Sequence, residues 1–234
     1  MKVLAVADVH SPRFHEDFVA GLKDHDSPDL LLMAGDMVNR GRAAEYSRIV
    51  ESIGDILGND FPIIACFGND DYGERRAAII ENGGDRITFL DEKSKVVETD
   101  GLKVGIVGTQ GSLDKPTSWQ RKTIPSIKRI FAQRASRAES LLRRLKEKTD
   151  YRILLMHYAP CLETCEGESA RSFAWLGSRK FYSVIKTEQP DLVIHGHVHN
   201  ATTLEAKIGD TMVYNVAFPA VGSLTKLEIQ DGSG

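Results

Sequence analysis

Three histidines fall within seven residues in IHGHVHN (194–200), directly after the apolar run DLV, in a chain with seven histidines in all. Neutral imidazole is the commonest metal ligand among side chains, so the cluster directs attention to other ligand types at comparable places. Four such places exist: Asp8-Val9-His10 after KVLAV, Gly35-Asp36 after LLLMA, Gly68-Asn69-Asp70 after PIIACF, and His157 after RILLM. A lone D-x-H or G-D is common by chance. Together the five runs offer two aspartates, one asparagine and four histidines (Asp8, His10, Asp36, Asn69, His157, His197 and His199). That is too many for one tetrahedral zinc. It suits two divalent ions sharing a carboxylate. Mixed oxygen and nitrogen donors admit manganese, taken as the leading choice, and also iron, zinc, nickel or cobalt.

The elements that must position these residues are short and apolar. The segments 2–10, 29–36, 62–70, 103–110, 152–158 and 191–197 read as buried strands, because continuous apolar runs suit a sheet covered on both faces. RFHEDFVAGLKDHD (13–26) and AAEYSRIVESIGDIL (43–57) between the early runs read as helices. Alternation of this kind implies parallel crossovers and an α/β layered fold. Two strands joined at Gly209-Asp210, and a further one over 223–230, add antiparallel pairing late in the chain. The expected architecture is an α/β/α sandwich around a mixed sheet, or two sheets face to face. The carboxyl ends of parallel strands form one ligand-binding edge, so distant motifs would meet there. In an extended chain, i, i+2 spacing would put Asp8 and His10 on one side, and likewise His197 and His199. The glycines before Asp36, Asn69 and His197 would allow sharp turns. Segment 124–148 is the clearest helix, with Ile127, Ile130, Phe131, Ala135, Ala138, Leu141, Leu142 and Leu145 on one face. Its basic face, which includes Arg134 and Arg137, reads as solvated.

Composition sets bounds. With 234 residues, 41% hydrophobic and 27% charged, the chain is read as one domain over 1–234 with a sizeable core. A net charge of −3 leaves nucleic acid open as a partner but does not favour it. No apolar run approaches the roughly 20 residues of a membrane span, and Asp8 and His10 interrupt the first one too early for a signal peptide. Three cysteines suit a reducing, cytoplasmic location. Cys161 and Cys165 in CLETC read as unpaired thiols rather than a redox pair. Oligomeric state is not legible.

The ordered set D-x-H, G-D, G-N-D, H, G-H-x-H, from Asp8 to His199, resembles the calcineurin-like metallophosphoesterase superfamily. The resemblance implies a four-layer α/β/β/α sandwich with mixed central sheets. It also implies that Asp8, His10 and His199 hold one metal, that Asn69, His157 and His197 hold the other, and that Asp36 bridges them. His195 falls outside that set and reads as a core or supporting residue.

Two ions about 3.5–4 Å apart can clamp a phosphoryl group and its attacking oxygen. A hydroxide shared between them would be the nucleophile, since even one zinc brings bound water to a pKa of about 7. Hydrolysis of a phosphoester substrate is therefore expected. Many monoesterases of this family read G-N-H-[DE], whereas this chain reads Gly68-Asn69-Asp70-Asp71. An ionised Asp70 is a poor acid, and an added unit charge at ~6 Å opposes an anion by roughly 3 kcal/mol at an effective dielectric of ~20. A monoester dianion suffers about twice the penalty of a diester monoanion, so a phosphodiesterase is expected ahead of a phosphomonoesterase. A non-catalytic scaffold on the same fold is the remaining alternative. Asp36 and Asp70 are the candidate catalytic residues, and Asn69, Arg40 and Arg42 the candidate substrate contacts.

Overall fold

The structure, a computed structural model, describes residues 1–99 and 101–230. The first half alternates strand and helix: β1 (Lys2–Val6), α1 (His15–Leu22), β2 (Leu30–Met33), α2 (Glu45–Leu57), β3 (Ile63–Ala65), α3 (Arg76–Gly83) and β4 (Ile87–Phe89). A hairpin follows, β5 (Lys93–Thr99) with β6 (Leu102–Thr109), then α4 (Ser118–Thr123), α5 (Ile127–Leu145), β7 (Tyr151–Met156), α6 (Arg179–Glu188) and β8 (Leu192–His195). The chain closes with β9 (Glu205–Ile208), β10 (Thr211–Asn215), α7 (Phe218–Val221) and β11 (Thr225–Glu228).

The strands form two sheets, ordered β11-β1-β2-β3-β4 and β5-β6-β7-β8-β10-β9. Both are mixed. β1 to β4 run parallel with β11 antiparallel at one edge. In the second sheet β6, β7, β8 and β10 are parallel, and β5 and β9 close its edges antiparallel. Period-two alternation assigns each strand residue to a layer. Val3 and Ala5 of β1 meet Ile153 and Leu155 of β7 in a core between the sheets. Leu4 and Val6 face outward and pack with Phe18 and Leu22 of α1 and Tyr46, Ile49 and Ile53 of α2. Leu154 and Met156 of β7 pack on the opposite side with Ala138, Leu141 and Leu142 of α5 and Phe181 and Ile185 of α6. The result is the four-layer α/β/β/α sandwich, with the sheets face to face.

Three expectations need correction. The strands stop before their motifs: β1 ends at Val6 and β8 at His195. Asp8, His10 and His197 adopt φ of +59°, +44° and +72°, so i, i+2 alternation does not align the histidines and aspartates; left-handed turns do. The basic face of α5 is not uniformly solvated either. Arg134 turns inward and donates to the Gln110 Oε1 (2.7 Å) and to the Gly111 carbonyl (3.1 Å). Cys161 and Cys165 are free and buried, with the Cys165 thiol donating to the Cys161 carbonyl at 3.4 Å.

Leu155 is fully buried between the sheets. Leu155→Ala is expected to lower the unfolding free energy by about 2–5 kcal/mol, read as a lower midpoint in urea. A loss below about 1 kcal/mol would show that the inter-sheet layer can collapse onto the cavity.

Candidate metal centre

The parallel strands of both sheets deliver their C-terminal loops to one edge. β1 supplies Asp8 and His10, β2 supplies Asp36, β3 supplies Asn69 and Asp70, β7 supplies His157, and β8 supplies His197 and His199. Backbone hydrogen bonds stitch these loops together: Asp8 N–H donates to the Gly35 carbonyl (3.1 Å), His10 N–H to the Asp36 carbonyl (3.1 Å) and Gly196 N–H to the His157 carbonyl (3.1 Å).

Two groups of donor atoms result, Asp8 with His10 and His199, and Asp8 with Asp36 and His157; within each, the atoms lie within 4.8 Å of one another. Asp8 is fully buried. Its Oδ2 accepts the His197 backbone N–H (2.8 Å), and its Oδ1 lies 3.1 Å from His199 Nε2 and 3.6 Å from His10 Nε2. Asp36 Oδ1 accepts the Asp70 N–H (2.7 Å), and its Oδ2 lies 3.4 Å from His157 Nε2. Asn69 joins through its Oδ1, 3.0 Å from the same Nε2. His197 is placed by its ring, edge-on to His157 at 5.0 Å and to Tyr158 at 4.8 Å between centroids. All seven expected ligands therefore gather at one edge.

The chemistry of this set fits divalent cations. His157 Nδ1–H donates to the Ala34 carbonyl (2.9 Å) and His197 Nε2–H to the Trp175 carbonyl (3.3 Å). Such bonds fix which ring nitrogen is left to a metal. His10 Nδ1 faces Asp70 Oδ2 at 3.5 Å, which directs Nε2 inward. His195, by contrast, spends both nitrogens, on the Gly196 carbonyl (2.8 Å) and the Thr164 hydroxyl (2.9 Å); burial lowers its pKa to about 4. It is a neutral supporting residue.

Two glycines serve close approach rather than turning. A Cβ at Gly68 would fall 2.1 Å from Asp36 Oδ1, and one at Gly196 would fall 2.4 Å from Asp8 Oδ2. The carboxylates occupy the space a side chain would need.

Electrostatics follow from crowding. Burial works against charge on His10, but the carboxylates of Asp70 and Asp8 outweigh it and push its pKa up to about 10. Burial likewise opposes charge on His157, and Asp36 and Asp8 overcome it, raising the pKa to about 9. Burial also penalises ionised Asp8, yet its bonds to His10 and His199 hold it well below the usual carboxylate range. Burial, helped by His157, depresses His197 to about 3.

Of the other expected residues, Asp70 is half-buried, and its Oδ2 accepts the Arg40 N–H (3.1 Å) as well as facing His10. Arg40 and Arg42 are exposed in the loop that follows Asp36. Asp71, the second residue of the Asp-Asp doublet, has no role assigned by the sequence alone. It is buried, and its Oδ2 accepts the N–H groups of Gly68 (2.7 Å) and Asp36 (3.1 Å). Gln110 also had no sequence signal. Its Nε2 donates to the Gly68 carbonyl (2.9 Å), while Arg76 and Arg134 both donate to its Oε1.

Fold and site together define the class. The family model of the calcineurin-like phosphoesterases matches residues 1–201, and the chain belongs to this metal-dependent family. A protein of a Synechococcus strain named a probable cyclic nucleotide phosphodiesterase is 31% identical over 179 residues, covering 75% of this chain. The chain spans 59% of that protein's length. A phosphopantetheinyl hydrolase from Mycobacterium tuberculosis superposes with a TM-score of 0.69 at 14% identity, covering 100% of this chain and 98% of that one. A protein from Thermus thermophilus gives 0.58 at 15% identity, covering 98% and 99%. At these identities the two structures share the fold. No helix of the described residues is long and apolar enough to cross a membrane.

At pH 7.5 the metal-free protein should carry protons on both His10 and His157, whose pKa values are raised above that pH. Ligation must displace them. Manganese binding is expected to release nearly two protons per chain at pH 7.5, and its affinity should rise with pH until about pH 9–10, where the histidines are already neutral. Calorimetry in buffers of different ionisation enthalpy measures the count. Release near zero would mean that neither histidine is a ligand.

Proposed function

We propose that this chain is a binuclear metal-dependent phosphodiester hydrolase. The observation that carries the reading is a convergence at the strand ends of both sheets: Asp8, His10, Asp36, His157 and His199 form two donor groups that share Asp8, and Asn69 and His197 lie against His157. Asp8, His10 and His199 would hold one ion, Asn69, His157 and His197 the second, and Asp36 would bridge them. Two divalent transition-metal ions, manganese foremost, would supply an acidified water and offset charge on the phosphoryl oxygens. The chain's own residues do the rest. The Ala34 and Trp175 carbonyls and the Asp70 carboxylate hold the imidazoles in register. Arg40 and Arg42, exposed in the loop after Asp36, would offer guanidinium groups to the phosphate, and the Asn69 amide would contact it beside the metals.

Asp70 supports the diester. Its bond to His10 holds its carboxyl below the usual range, so it is an anion at neutral pH and opposes a dianionic monoester more than a monoanionic diester. The relative named a probable cyclic nucleotide phosphodiesterase points the same way. Three free, buried cysteines accord with a reducing compartment such as the cytoplasm.

The direct test is kcat/KM for bis(p-nitrophenyl) phosphate against p-nitrophenyl phosphate, with manganese at fixed pH. The diester should be preferred, and Asp36→Asn should abolish most of that activity, because a neutral amide cannot balance two cations. Diesterase activity within threefold of wild type, with both metals bound, would remove Asp36 from the site.

Asp70→His deletes the anion and supplies a group that titrates near neutral pH. It also frees His10 Nδ1 from Asp70, so total activity should fall while the ratio of monoesterase to diesterase rises about tenfold, roughly 1.4 kcal/mol. An unchanged ratio in the folded, metallated variant would show that Asp70 acts on His10 alone and does not set the choice of ester.

A further inference from the structure

The chain has two tryptophans, and both are exposed, Trp119 by 63% and Trp175 by 41%. Indole is the largest apolar side chain, and burial is its ordinary state. Both exposed rings belong to segments fastened beside one imidazole of the metal centre. Trp175 ends a 3-10 turn, Phe173–Trp175, and its own carbonyl accepts from His197 Nε2. Phe173 of this turn and Leu176 just after it pack inward against Ala159, Cys165 and Val198, so the backbone under Trp175 is anchored while its indole is left out. Trp119 lies on α4, closed at its start by a reciprocal Thr117–Gln120 cap. Gln120 Nε2 also donates to the Tyr158 hydroxyl (3.4 Å), and the Tyr158 ring abuts His197.

A cation completes the arrangement. Lys115 Nζ lies 5.6 Å from the centroid of the Trp175 ring, and the Lys115 N–H donates to the Ala174 carbonyl at 2.8 Å. The loop that carries the ammonium and the turn that carries the indole are thus one backbone-bonded unit. A partly solvated indole on an anchored backbone, with an ammonium over one side of its ring, matches a flat ring attached to a phosphate, with the open side for stacking and the charge for the anion.

We propose that Trp175, flanked by Lys115, is a specificity-determining residue: a stacking platform for a planar aromatic group on the alcohol side of the phosphodiester. This rests on the phosphodiesterase reading given above and narrows it to substrates bearing a nucleobase or an aryl ring. Alkyl diesters would lack the contact.

The two-tryptophan count makes the test direct. In a manganese-loaded Trp119→Phe variant, all tryptophan fluorescence comes from Trp175. Adenosine 5′-monophosphate and phenyl phosphate should quench it saturably, and ribose 5-phosphate should not. The ratio of the two aromatic affinities separates a purine-sized from a benzene-sized ring. By calorimetry, Trp175→Ala should bind adenosine 5′-monophosphate at least about fivefold more weakly, about 1 kcal/mol, the lower end of base–aromatic stacking. Trp175→Phe should keep affinity within about twofold, because the ring is retained, and both variants should keep their metal because the 175 carbonyl remains. Equal quenching by ribose 5-phosphate, no saturable quenching by either aromatic ligand, or an unchanged affinity in Trp175→Ala would each overturn the proposal. Ring-dependent quenching in a protein that hydrolyses no phosphodiester would keep the platform and discard the proposed reaction.

Discussion

Three carboxylates, those of Asp8, Asp36 and Asp71, are buried together where the strands of two sheets end. Ionised groups in so little water are tolerated only with partners. The chain supplies two kinds. Backbone N–H groups come first: His197 to Asp8, Asp70 to Asp36, and both Gly68 and Asp36 to Asp71. Imidazolium rings come second, with His10 and His157 drawn to charge by the carboxylates they face. Even so, burial and the neighbouring Asp36 raise the pKa of Asp71 to about 7. The site holds negative charge beyond what its own protons and amides balance, which is the condition that favours binding cations.

Much of the local backbone follows from this crowding. Aiming amide hydrogens inward at a carboxylate requires turns, and Asp8, Asp36, His10 and His197 all take positive φ although none is glycine. Such conformers cost of order 1–3 kcal/mol each and persist only where the surroundings over-determine them. Gly68 and Gly196 lie where a carboxylate oxygen fills the Cβ position. The apolar sandwich beneath supplies the rigidity that holds these turns, since the inter-sheet layer fixes where β1, β2, β7 and β8 end.

A polar brace ties the site to the outer helices. Arg76 of α3 lies over the Phe67 ring, 4.4 Å to its centroid, and pairs with Asp91 at 2.9 Å. It meets Arg134 of α5 at the Gln110 oxygen, and Gln110 in turn grips the Gly68 carbonyl. Two guanidinium groups on one amide oxygen would repel without Asp91 and Glu92 beside them. The brace restrains the Gly68–Asp71 loop at two carbonyls, Gly68 through Gln110 and Asp71 through Arg76 Nε (3.2 Å).

Much was decided by residue type and order alone. Apolar runs ending in Asp, Asn and His at several separate places specify strands whose ends carry candidate metal donors, because buried strands must be apolar and metal donors must be polar. Asp8, His10, Asp36, Asn69, His157, His197 and His199 were legible for that reason, and so were α1, α2 and α5 from their helical periodicity. Tertiary structure decided what depends on direction and distance. It decided for two sheets face to face over one mixed sheet, because a continuous apolar run marks a strand as covered on both faces without saying by what. It turned Arg134 inward and gave Asp70 to His10 and Arg40, contacts made across the fold that no local pattern encodes. It placed the Trp175 carbonyl on His197, because a backbone oxygen has no residue type and its role exists only once the chain has folded around it.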